Sequence, residues 1–487
     1  MNKYIGIDLG TSGTKILLVN ACGEVEKEVT KNYGVSYPKE GWSEQSPESW
    51  LTAAYEGVRE LMDGVCADDV KGISFGGQMH GLVILDENDE VIRPCILWND
   101  GRTQAQTDYL NTVIGKEKLS EYTGNIAFAG FTAPKILWVK ENEPENFAKI
   151  AKIMLPKDYL AYKLTGVHST DYSDASGMLL LDVQNKCWSA EMCDICSVKA
   201  EWLPKLYESY DVIGTLTKNA AKELGLSEGV IVTAGAGDNA AAAIGTGTVG
   251  GGACNISLGT SGTIFISGNS FSVDAKNALH SFAHADGKWH LMGCILSAAS
   301  CRKWWLEDVL GTCDYAGDEK EAACGESGVI YLPYLMGERS PHNDVDAKGA
   351  FIGLNAATTK GQMSRAVMEG VAFALKDCME IAKAQGIDVK KTRICGGGAK
   401  SAVWKQIVAN VLEIPVESLV TEQGPAYGAA MLAMVAAGEY ADVIEAASKV
   451  VKAKDTVYPE ENTEYYRKKY ENFRRIYPAL KEIFASM

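Results

Sequence analysis

The sequence predicts a two-domain α/β protein whose domains share one design and face each other. A chain of 487 residues is too long to fold around one ordinary hydrophobic core. The hexapeptide LGTSGT begins at Leu9 and again at Leu258, near the start of each half. In both halves it forms a glycine-rich turn between two apolar strands, and mixed α/β patterns follow. The predicted boundary lies in the glycine-rich stretch 245–252, which gives domains of residues 1–247 and 248–487.

The first half opens as an antiparallel meander. KYIGIDLG, TKILLVN and EKEVT are typical of strands joined by turns. SPESWLTAAYEGVRELMDG predicts a helix with Ser46 as its N-cap and Pro47 at its first position. KGISFGG predicts a strand, and LVILDENDEVI predicts a hairpin around residues 87–89. Amphipathic helices are predicted for TAPKILWVKENEPENFAKIAKIML and PKDYLAYKLTG.

The second half repeats the pattern. ACNISLG and TIFISG predict a second hairpin, and KWHLMG predicts another strand. Helices are predicted for ILSAASCRKWWLEDVL, for MSRAVMEGVAFALKDCMEIAKAQG ending at Gly386, and for the C-terminal EYYRKKYENFRRIYPALKEIF. KTRICGGGAK predicts a strand that leads through a glycine turn into the helix SAVWKQIVANVLE. GPAYGAAMLAMVAAG predicts a helix of small residues that can pack closely on another backbone.

The composition is that of a soluble globular protein, with 46% hydrophobic and 23% charged residues. A formal net charge of −16 argues against broad binding to nucleic acid or acidic membranes, although it leaves room for a local phosphate pocket. No apolar run reaches the roughly 18 residues of a membrane span, and MNKYIGIDLG lacks the pattern of a signal peptide. Thirteen cysteines without a secretory signal favour reduced thiols in the cytoplasm. Cys193 and Cys196 are interpreted as two free thiols on a helix, since no second pair stands at zinc spacing.

Two nucleotide-binding motifs of other folds are not supported. The GxxxxGK[ST] of a P-loop is absent from the sequence. GTGTVG at 245–250 follows a helical stretch, whereas the dinucleotide fingerprint requires a strand before it. GAGDNA at 235–240 does follow a strand, but no acid stands about 20 residues later to bind a ribose. A dinucleotide-dependent redox enzyme is therefore the least favoured alternative.

The two glycine hairpins and several strand ends carry the candidate chemistry. Tight turns of Gly, Thr and Ser expose backbone N–H groups that bind anions, so one turn in each half predicts a cleft with a phosphate-binding hairpin on each wall. Asp238, between an apolar strand and a helix, suits a helix N-cap, a general base at the cleft, or both. Met79 and His80 follow a strand that ends in glycines, where they suit a small polar ligand. Trp98, Asp100 and Arg102 are further candidates, because a tryptophan beside a charged pair is a common wall of a sugar site. The GGGAKS turn at 396–401 leads into a helix, whose N-terminal amides could face the phosphates or ribose of a nucleotide.

These motifs, in this order, resemble the FGGY family of carbohydrate kinases over nearly the whole chain. The shared stretches include IGIDLGTSGTK, WSEQSPESW, GQMHGLVILDENDEVIRPCILWNDGR, LPKDYL, AGAGDNAAAAIG, SLGTSGTIF, LPYLMGERSPHND, GGGAKSAVWKQ and GPAYGAA. The resemblance implies two ribonuclease-H-like domains with a central cleft. It also implies that sugar binds deep on the N-terminal wall, and that ATP with Mg²⁺ lies against the C-terminal wall.

The resemblance implies a role for each matching residue. Asp238 is expected to be the general base, and Asp8 the acid near the transferring phosphate and the ligand of Mg²⁺. Because Ser257 stands where the second hairpin would carry an acid, the metal is expected to be held from the N-terminal wall. The expected substrate contacts are Met79, His80, Trp98, Asp100, Arg102, Asp238 and Asn239. The expected nucleotide contacts are Thr11, Ser12, Lys15, Gly259, Thr260, Gly397, Gly398, Ala399 and Ser401.

The stretch Gly77, Gln78, Met79 and His80 is similar to that of family members acting on D-xylulose, whereas the glycerol kinases look like N-Q-R-E there. We therefore expect ATP-dependent phosphorylation of D-xylulose at its 5-hydroxyl. Another ketose or polyol, such as ribulose, stays an alternative because preference among sugar epimers turns on one or two hydrogen bonds. A non-catalytic actin-like ATP switch is the alternative from another class. The family's habit implies a homodimer.

Overall fold

The computed structural model describes residues 1–323, 325–461 and 463–487, and each half is built on a seven-stranded sheet. The strands of the first half are β1 (Lys3–Leu9), β2 (Gly13–Asn20), β3 (Val25–Asn32), β4 (Glu44–Gln45), β5 (Val70–Gly77), β6 (Val83–Leu85), β7 (Cys95–Ile96), β8 (Lys152–Met154), β9 (Ser169–Asp171), β10 (Leu181–Asp182), β11 (Cys187–Trp188), β12 (Lys205–Tyr207), β13 (Val212–Thr215), β14 (Ile231–Thr233) and β15 (Ala236–Gly237). Those of the second half are β16 (Cys254–Leu258), β17 (Gly262–Gly268), β18 (His280–Ala283), β19 (Trp289–Ile295), β20 (Ile330–Leu332), β21 (Ala350–Ile352), β22 (Thr392–Cys395), β23 (Val416–Leu419) and β24 (Ala453–Val457).

Helices flank both sheets. In the first half they are α1 (Pro47–Leu61), α2 (Gln104–Asp108), α3 (Lys116–Thr123), α4 (Thr132–Asn142), α5 (Pro144–Phe147), α6 (Pro156–Thr165), α7 (Tyr172–Ala175), α8 (Ala190–Cys196), α9 (Lys218–Leu224) and α10 (Asp238–Gly245). In the second half they are α11 (Ala299–Lys303), α12 (Tyr315–Ala322), α13 (Lys360–Ala384), α14 (Ala402–Leu412), α15 (Gly424–Ala436), α16 (Val443–Val450) and α17 (Thr463–Ala485). Wider π-type turns at Tyr109–Gly115 and Trp304–Val309 extend α2 and α11. Within the described ranges, no helix combines the length and apolar character that a membrane span needs.

The two sheets repeat one strand order. β1, β2 and β3 form an antiparallel meander, while β5 and then β14 lie parallel to β1 on its other side. β16, β17 and β19 form the same meander, with β22 and then β23 parallel to β16. This is the ribonuclease-H-like arrangement implied by the resemblance, so the predicted pair of related α/β domains is confirmed. In each sheet the carboxyl end of the hairpin's first strand lies beside the carboxyl ends of its parallel neighbours, which is where ligands bind in open α/β sheets.

One helix of the second half packs on the sheet of the first. A Cβ on Gly6 of β1 would overlap the carbonyl oxygen of Ala426 in α15, and one on Gly428 would overlap that of Ala241 in α10. The predicted small-residue helix is therefore confirmed, since only residues without bulk allow such close backbones. α10, α15 and α16 share an apolar core with side chains of β1 and β2. The division between residues 247 and 248 stays a prediction, and α15, which follows it in the sequence, packs on the sheet that precedes it.

Most predicted elements are confirmed, but two segments differ. The helix predicted over TAPKILWVKENEPENFAKIAKIML ends at Asn142, because Pro144 cannot continue it and begins the short α5 instead. Its last residues form β8, which pairs with β6 and buries Ile153. In ILSAASCRKWWLEDVL the first residue, Ile295, ends β19, and the helix begins only at Ala299. Short apolar runs of this kind suit a buried strand as well as a helix.

Candidate active site

Two acidic side chains lie at the carboxyl end of the first sheet, on either side of β5. Asp8 of β1 pairs with Gly76 of β5, and Gly76 pairs on its other side with Ala236 of β15. Asp238 follows β15 directly as the first residue of α10. Burial raises the pKa of Asp8 to about 7, and the charge of Asp238 contributes to the rise. The two carboxylates therefore face one common region, as like charges in a catalytic site do.

Asp238 is held by its neighbour and does not cap α10. The N-cap position belongs to Gly237, so the interpretation of Asp238 as an N-cap is wrong. Its Oδ1 accepts hydrogen bonds from the backbone N–H of Asn239 at 2.6 Å and from the Asn239 amide at 2.9 Å. Burial raises the pKa of Asp238 to about 6, while the bonds from Asn239 oppose the rise. A carboxylate with this pKa is mostly ionised at pH 7 and remains basic enough to accept a proton.

A buried hydrogen-bonded chain holds the backbone just before Asp238. The N–H of Gly237 donates to Ser173 Oγ at 3.1 Å, and that hydroxyl donates to Asp171 at 2.5 Å. Asp171 in turn forms an ion pair with Lys157 at 2.9 Å. Burial opposes the charge of Lys157, but the surrounding carboxylates outweigh burial and raise its pKa, so the ammonium stays charged. Two further carboxylates complete the cluster, Asp158 at 2.7 Å and Asp174 at 3.6 Å from the ammonium.

The first hairpin turn is fastened by side chains from three other segments. Thr11 Oγ1 accepts from the indole N–H of Trp98 at 2.9 Å and donates to Gln78 Oε1 at 3.1 Å. The Gln45 amide donates to the carbonyl of Thr11 at 2.6 Å. Ser12 lies exposed at the tip of the turn. The hydroxyl of Thr11 thus positions the turn and joins it to Trp98, while the exposed Ser12 hydroxyl has no hydrogen-bond partner among the residues that the structure describes.

The surroundings of Asp8 suit a hydrated divalent cation. Within the described part of the chain, its carboxylate takes part in no hydrogen bond, and only the charge of Lys15, its partner across the hairpin, lowers its pKa. Lys15 itself is engaged by Glu28 at 3.1 Å and by the side chain of Gln423. Mg²⁺ prefers oxygen ligands and keeps most of its water when it binds beside phosphates, so a single carboxylate can serve it. Asp8 therefore fits the role of a lone protein ligand to that ion.

A cavity of about 460 Å³ separates the second hairpin from α10. The carbonyls of Gly259 and Thr260 accept from the N–H groups of Ala299 and Ala298, at 2.8 and 2.9 Å. The turn is thus anchored through its carbonyl oxygens, which leaves the exposed side chain of Thr260 unconstrained by those bonds. The lining of the cavity includes Asn239, Ser257, Gly259, Ser261, Thr263, Gly396 and Gln423.

The 396–401 turn packs against the base of the second hairpin. A Cβ on Gly396 would lie 2.8 Å from the backbone of Leu258, and one on Gly398 would lie 2.9 Å from its side chain. Gly397 is exposed and has open space beside it. Two other predicted nucleotide contacts have structural roles. Ala399 is buried, and Ser401 Oγ caps α14 by accepting a hydrogen bond from Trp404 N–H at 3.1 Å. Among these residues, Gly397 offers the most accessible backbone.

Met79 and His80 lie just beyond the end of β5, and Met79 contacts the turn that leads into Asp238. A Cβ on Gly237 would lie 3.0 Å from the sulfur of Met79. The His80 ring stacks on Phe131 at 4.7 Å, and its Nδ1 lies 2.8 Å from the carbonyl of Gly177. Burial above all lowers the pKa of His80 to about 3, so the ring is neutral. Since a carbonyl only accepts, Nδ1 carries the proton and Nε2 is left as an acceptor.

Trp98, Asp100 and Arg102 divide into one exposed residue and one buried pair. Trp98 is 46% exposed beside the first hairpin, where a ligand can reach it. Asp100 and Arg102 form a bidentate pair with contacts of 2.6 and 2.8 Å, and both side chains are inaccessible. Arg102 also pairs with Glu44 at 2.7 Å and stacks over Trp42 at 3.7 Å. In this geometry the pair braces the loop that carries Trp98 and makes no direct wall for a sugar.

Several residues of this site carry no motif of their own and were not predicted. Gln45 and Lys157 lie inside stretches shared with the family, but a glutamine or lysine in such a stretch does not reveal what it contacts. Ser173 and Gln423 lie outside the quoted stretches, and only the fold brings them to Gly237 and Lys15.

The chain belongs to the FGGY family of carbohydrate kinases. The family's N-terminal domain model matches residues 3–245, and its C-terminal domain model matches residues 254–437. The fold and the site thus define a sugar kinase with an actin-like ATPase fold, an enzyme class for which ATP is the phosphoryl donor.

Individual relatives show which sugar kinases the chain is similar to. The chain is 42% identical to a xylulose kinase of Escherichia coli (strain K12), covering 91% of this chain and 92% of that protein. It is 40% identical to a xylulose kinase of Bacillus subtilis (strain 168), covering 93% and 92%. A crystal structure of a "xyloylose kinase" from Brucella ovis superposes with a TM-score of 0.94 at 37% identity, covering 99% of this chain and all of that one.

Proposed function

We propose that this chain transfers the γ-phosphoryl group of ATP to the 5-hydroxyl of D-xylulose, giving D-xylulose 5-phosphate and ADP. The observation that carries the chemistry is the Asp238 carboxylate, poised next to Met79 and His80 at the mouth of the cleft. The choice of sugar is supported by relatives named xylulose kinase at 42% and 40% identity over about nine tenths of the chain.

Asp238 acts as the general base in this proposal. The 5-hydroxyl oxygen forms a bond to the γ-phosphorus while its proton passes to Asp238, and the bond between that phosphorus and the departing ADP oxygen breaks. Asn239 fixes Oδ1 with two hydrogen bonds, which leaves Oδ2 to meet the hydroxyl. The chain from Lys157 through Asp171 and Ser173 keeps the preceding backbone in place. Such fixed orientation is the main service that a protein provides to phosphoryl transfer.

The two hairpins receive the phosphates. Mg²⁺ bound with ATP neutralises charge on the β- and γ-phosphates, and Asp8 is the residue that would hold it from the N-terminal wall. Ser12 and the backbone N–H groups of the first turn donate from one side. Ser257, Ser261 and Thr263 line the cavity on the other side and supply hydroxyl donors. Gly397 leaves room for the nucleotide to approach the backbone closely.

The neutral His80 ring and Met79 receive the sugar. Nε2 of His80 accepts a hydrogen bond from a sugar hydroxyl, and Met79 supplies an apolar contact for the carbon chain. Met79 and His80 follow β5 after one residue, Gln78, and β5 pairs with β15, which leads directly into Asp238. The Trp98 side chain, which is 46% exposed, forms a third side of the proposed sugar site beside His80 and Met79.

The test of the base is Asp238→Asn, which keeps the shape and removes the proton acceptor. We expect kcat to fall by roughly 10²- to 10⁴-fold, the range typical of a lost general base. Binding of D-xylulose, measured by calorimetry, should change little. Asp63→Asn, at an exposed carboxylate, is the matched control. A kcat close to that of the wild type would remove Asp238 from the role of base.

The test of the substrate is ADP release with D-xylulose, D-ribulose, L-ribulose, L-xylulose, gluconate and glycerol. D-Xylulose should give the highest kcat/KM. A higher value with another sugar would refute the substrate assignment and leave the kinase in place. ATP hydrolysis that no sugar stimulates would favour the non-catalytic ATP switch instead.

Two further expectations belong to the proposal, a cytoplasmic location and a homodimer. The described cysteines are free thiols, and Cys193 and Cys196 lie buried in the core of the first half, where burial raises their pKa values to about 11 and 12. Such thiols suit a reducing compartment. Sedimentation velocity at several protein concentrations measures the oligomeric state directly, and a monomer at all of them would refute the dimer.

A further inference from the structure

Arg339 presents a guanidinium group that has no ionic or hydrogen-bonded partner in the described ranges. Its backbone is fixed to the carboxyl end of β19, since Ser340 N–H donates to the carbonyl of Cys294 at 3.0 Å and Leu296 N–H donates to Glu338 at 2.9 Å. The side chain is half-buried. It lies over the Phe128 ring, 5.3 Å from the guanidinium carbon to the centroid. The N–H groups of a half-buried guanidinium without a protein acceptor are available to a ligand that carries oxygen acceptors.

The Phe128 ring belongs to an aromatic wall that leads to the sugar site. Phe128 meets Phe131 edge-on at 5.3 Å, and Phe131 stacks on His80 at 4.7 Å. Burial has the largest effect on the pKa of His80, and the charge of Arg339 lowers that pKa further. The second half of the chain reaches these rings at two places, through the His280 ring, 5.1 Å from that of Phe128, and through Arg339. Arg339 thus approaches the proposed sugar site from the half of the chain opposite to His80.

The order of residues along the pocket gives the sugar a direction. Asp238 marks the hydroxyl that is phosphorylated, Met79 packs against the residue before it, and His80 comes next. Arg339 lies at the far end of this series, since the rings of Phe131 and Phe128 stand between His80 and its guanidinium group. A pentulose with its 5-hydroxyl at Asp238 therefore extends its C1 and C2 atoms toward Arg339. These atoms carry a hydroxyl and a carbonyl oxygen on adjacent carbons, a spacing that the planar fork of an arginine can span with two N–H groups.

We infer that Arg339 binds the keto end of the substrate, donating to the C2 carbonyl and the C1 hydroxyl oxygens, and that it makes the enzyme select ketoses. This inference rests on the proposed function, because it takes the 5-hydroxyl as the site of phosphorylation. It adds a substrate-binding residue from the second domain, which comes into contact with sugar held on the wall of the first.

The experiment compares D-xylulose with 1-deoxy-D-xylulose, which lacks only the C1 hydroxyl, in the wild type and in Arg339→Met. For D-xylulose, the variant should lose roughly 10- to 100-fold in kcat/KM, mainly through a higher KM, as expected for a lost charged hydrogen-bond pair. The preference of the wild type for D-xylulose over its deoxy analogue should shrink toward about one in the variant, since the residue that senses the hydroxyl is gone. Arg339→Lys should give an intermediate result, because an ammonium lacks the planar fork.

Controls separate contact from folding. Arg475→Met, at an exposed position on α17, should leave both sugars unaffected. The thermal shift induced by ATP should be the same in Arg339→Met as in the wild type, whereas the shift induced by D-xylulose should be lost. Equal losses for the two sugars, with an unchanged preference between them, would overturn the inference, and so would an unchanged KM.

A failure of the proposed function gives a different result. In that case the wild type itself would turn over D-xylulose poorly and prefer another sugar of the panel. The same comparison would then be made with the preferred sugar and its deoxy analogue at the end opposite the phosphorylated hydroxyl. An unchanged preference between those two in Arg339→Met would refute the role of Arg339 independently.

Discussion

The two LGTSGT hairpins have the same sequence and the same place in their sheets, yet they offer different chemistry. The first is preceded by Asp8, a carboxylate whose pKa is raised to about 7 by burial and by Asp238. The second is preceded by Ser257, an uncharged side chain that lines the cavity beside α10. The comparison teaches that in the proposed mechanism the duplicated turn would supply the phosphate contacts, whereas the residue just before it would decide on which wall the cation is held.

The anchoring of the two turns differs as well. The first is held through the side chain and carbonyl of Thr11, which join it to Trp98 and to Gln45. The second is held through the carbonyls of Gly259 and Thr260, which join it to the residues at the start of α11. The first hairpin is thus coupled to the proposed sugar wall, and the second is coupled to the body of its own half.

Removing the acid should produce the largest difference between the hairpins. Asp8→Ala is expected to lower kcat by at least about 100-fold at saturating substrates, because the cation loses its proposed protein ligand beside the transferring phosphate. Ser257→Ala removes one hydroxyl among several donors and should lower kcat by no more than about 5-fold. Steady-state kinetics over a range of Mg²⁺ concentrations measures both, and only Asp8→Ala should raise the Mg²⁺ requirement. Similar losses in the two variants would mean that the asymmetry has no catalytic meaning.

The pH dependence should also come from the first hairpin and its partner Asp238. Both acids work ionised in the proposed mechanism, and their pKa values are raised to about 7 and about 6. Activity should therefore be full above about pH 8, where both acids are ionised, and fall as the pH drops, by about tenfold per unit for each acid that protonates. Because a bound cation favours the ionised form of Asp8, a higher Mg²⁺ concentration should move the upper step to lower pH.

The measurement for that prediction is kcat/KM from pH 5 to 9 at low and high Mg²⁺. Ser257→Ala serves as the control, since it removes no titrating group and should leave the profile unchanged. A wild-type profile that is flat between pH 5 and 8, or one that Mg²⁺ does not move, would contradict the role given to Asp8.

A smaller effect should follow when the second hairpin is disturbed from behind. Gly396 has a positive φ of 90°, and a Cβ there would lie 2.8 Å from the backbone of Leu258. Gly396→Ala should therefore shift the second turn and raise the KM for ATP by about 10-fold, with little change in the KM for the sugar. Gly328→Ala, at an exposed position with open space around it, is the control. A rise in both KM values would show that the second hairpin is also coupled to the sugar wall.

Much of the fold follows from local patterns in the sequence. The repeated strand–turn–strand motif and the later strands with their glycine ends were enough to predict two related α/β domains. The small-residue run at 424–438 predicted close packing, and that packing is present. What the pattern could not show is the partner: α15 lies on the sheet of the other half because Gly6 leaves space for it, and such complementarity appears only in three dimensions.

The residues of the site also divide into those that local sequence pattern reveals and those that only the fold brings together. Asp8, Asp238, Met79 and His80 lie at strand ends, a position that local pattern reveals, and the structure brings them together. Arg102 was predicted from its residue type alone, and its charge is satisfied within the scaffold. The contacts that support the site, and the absence of an acceptor beside Arg339 among the described residues, depend on segments that are far apart in sequence. Residue type alone does not distinguish an arginine that is paired within the scaffold from one whose N–H groups are available to a ligand.

The smallest effect predicted from the comparison is on stability. A carboxylate whose pKa is raised by folding favours the folded state only when it is protonated, so the charge on Asp8 destabilises the ligand-free protein above about pH 7. Asp8→Asn should therefore raise Tm by about 1–3 °C at pH 8, and the gain should shrink as the pH falls below the folded-state pKa and the wild-type carboxyl protonates. Ser257→Ala should show no such pH-dependent gain. Calorimetry of the ligand-free proteins at pH 5 and pH 8 tests this prediction. An Asp8→Asn variant that is less stable than the wild type at pH 8 would show that the carboxylate stabilises the folded state, whereas the proposal has it lower stability in exchange for a cation ligand.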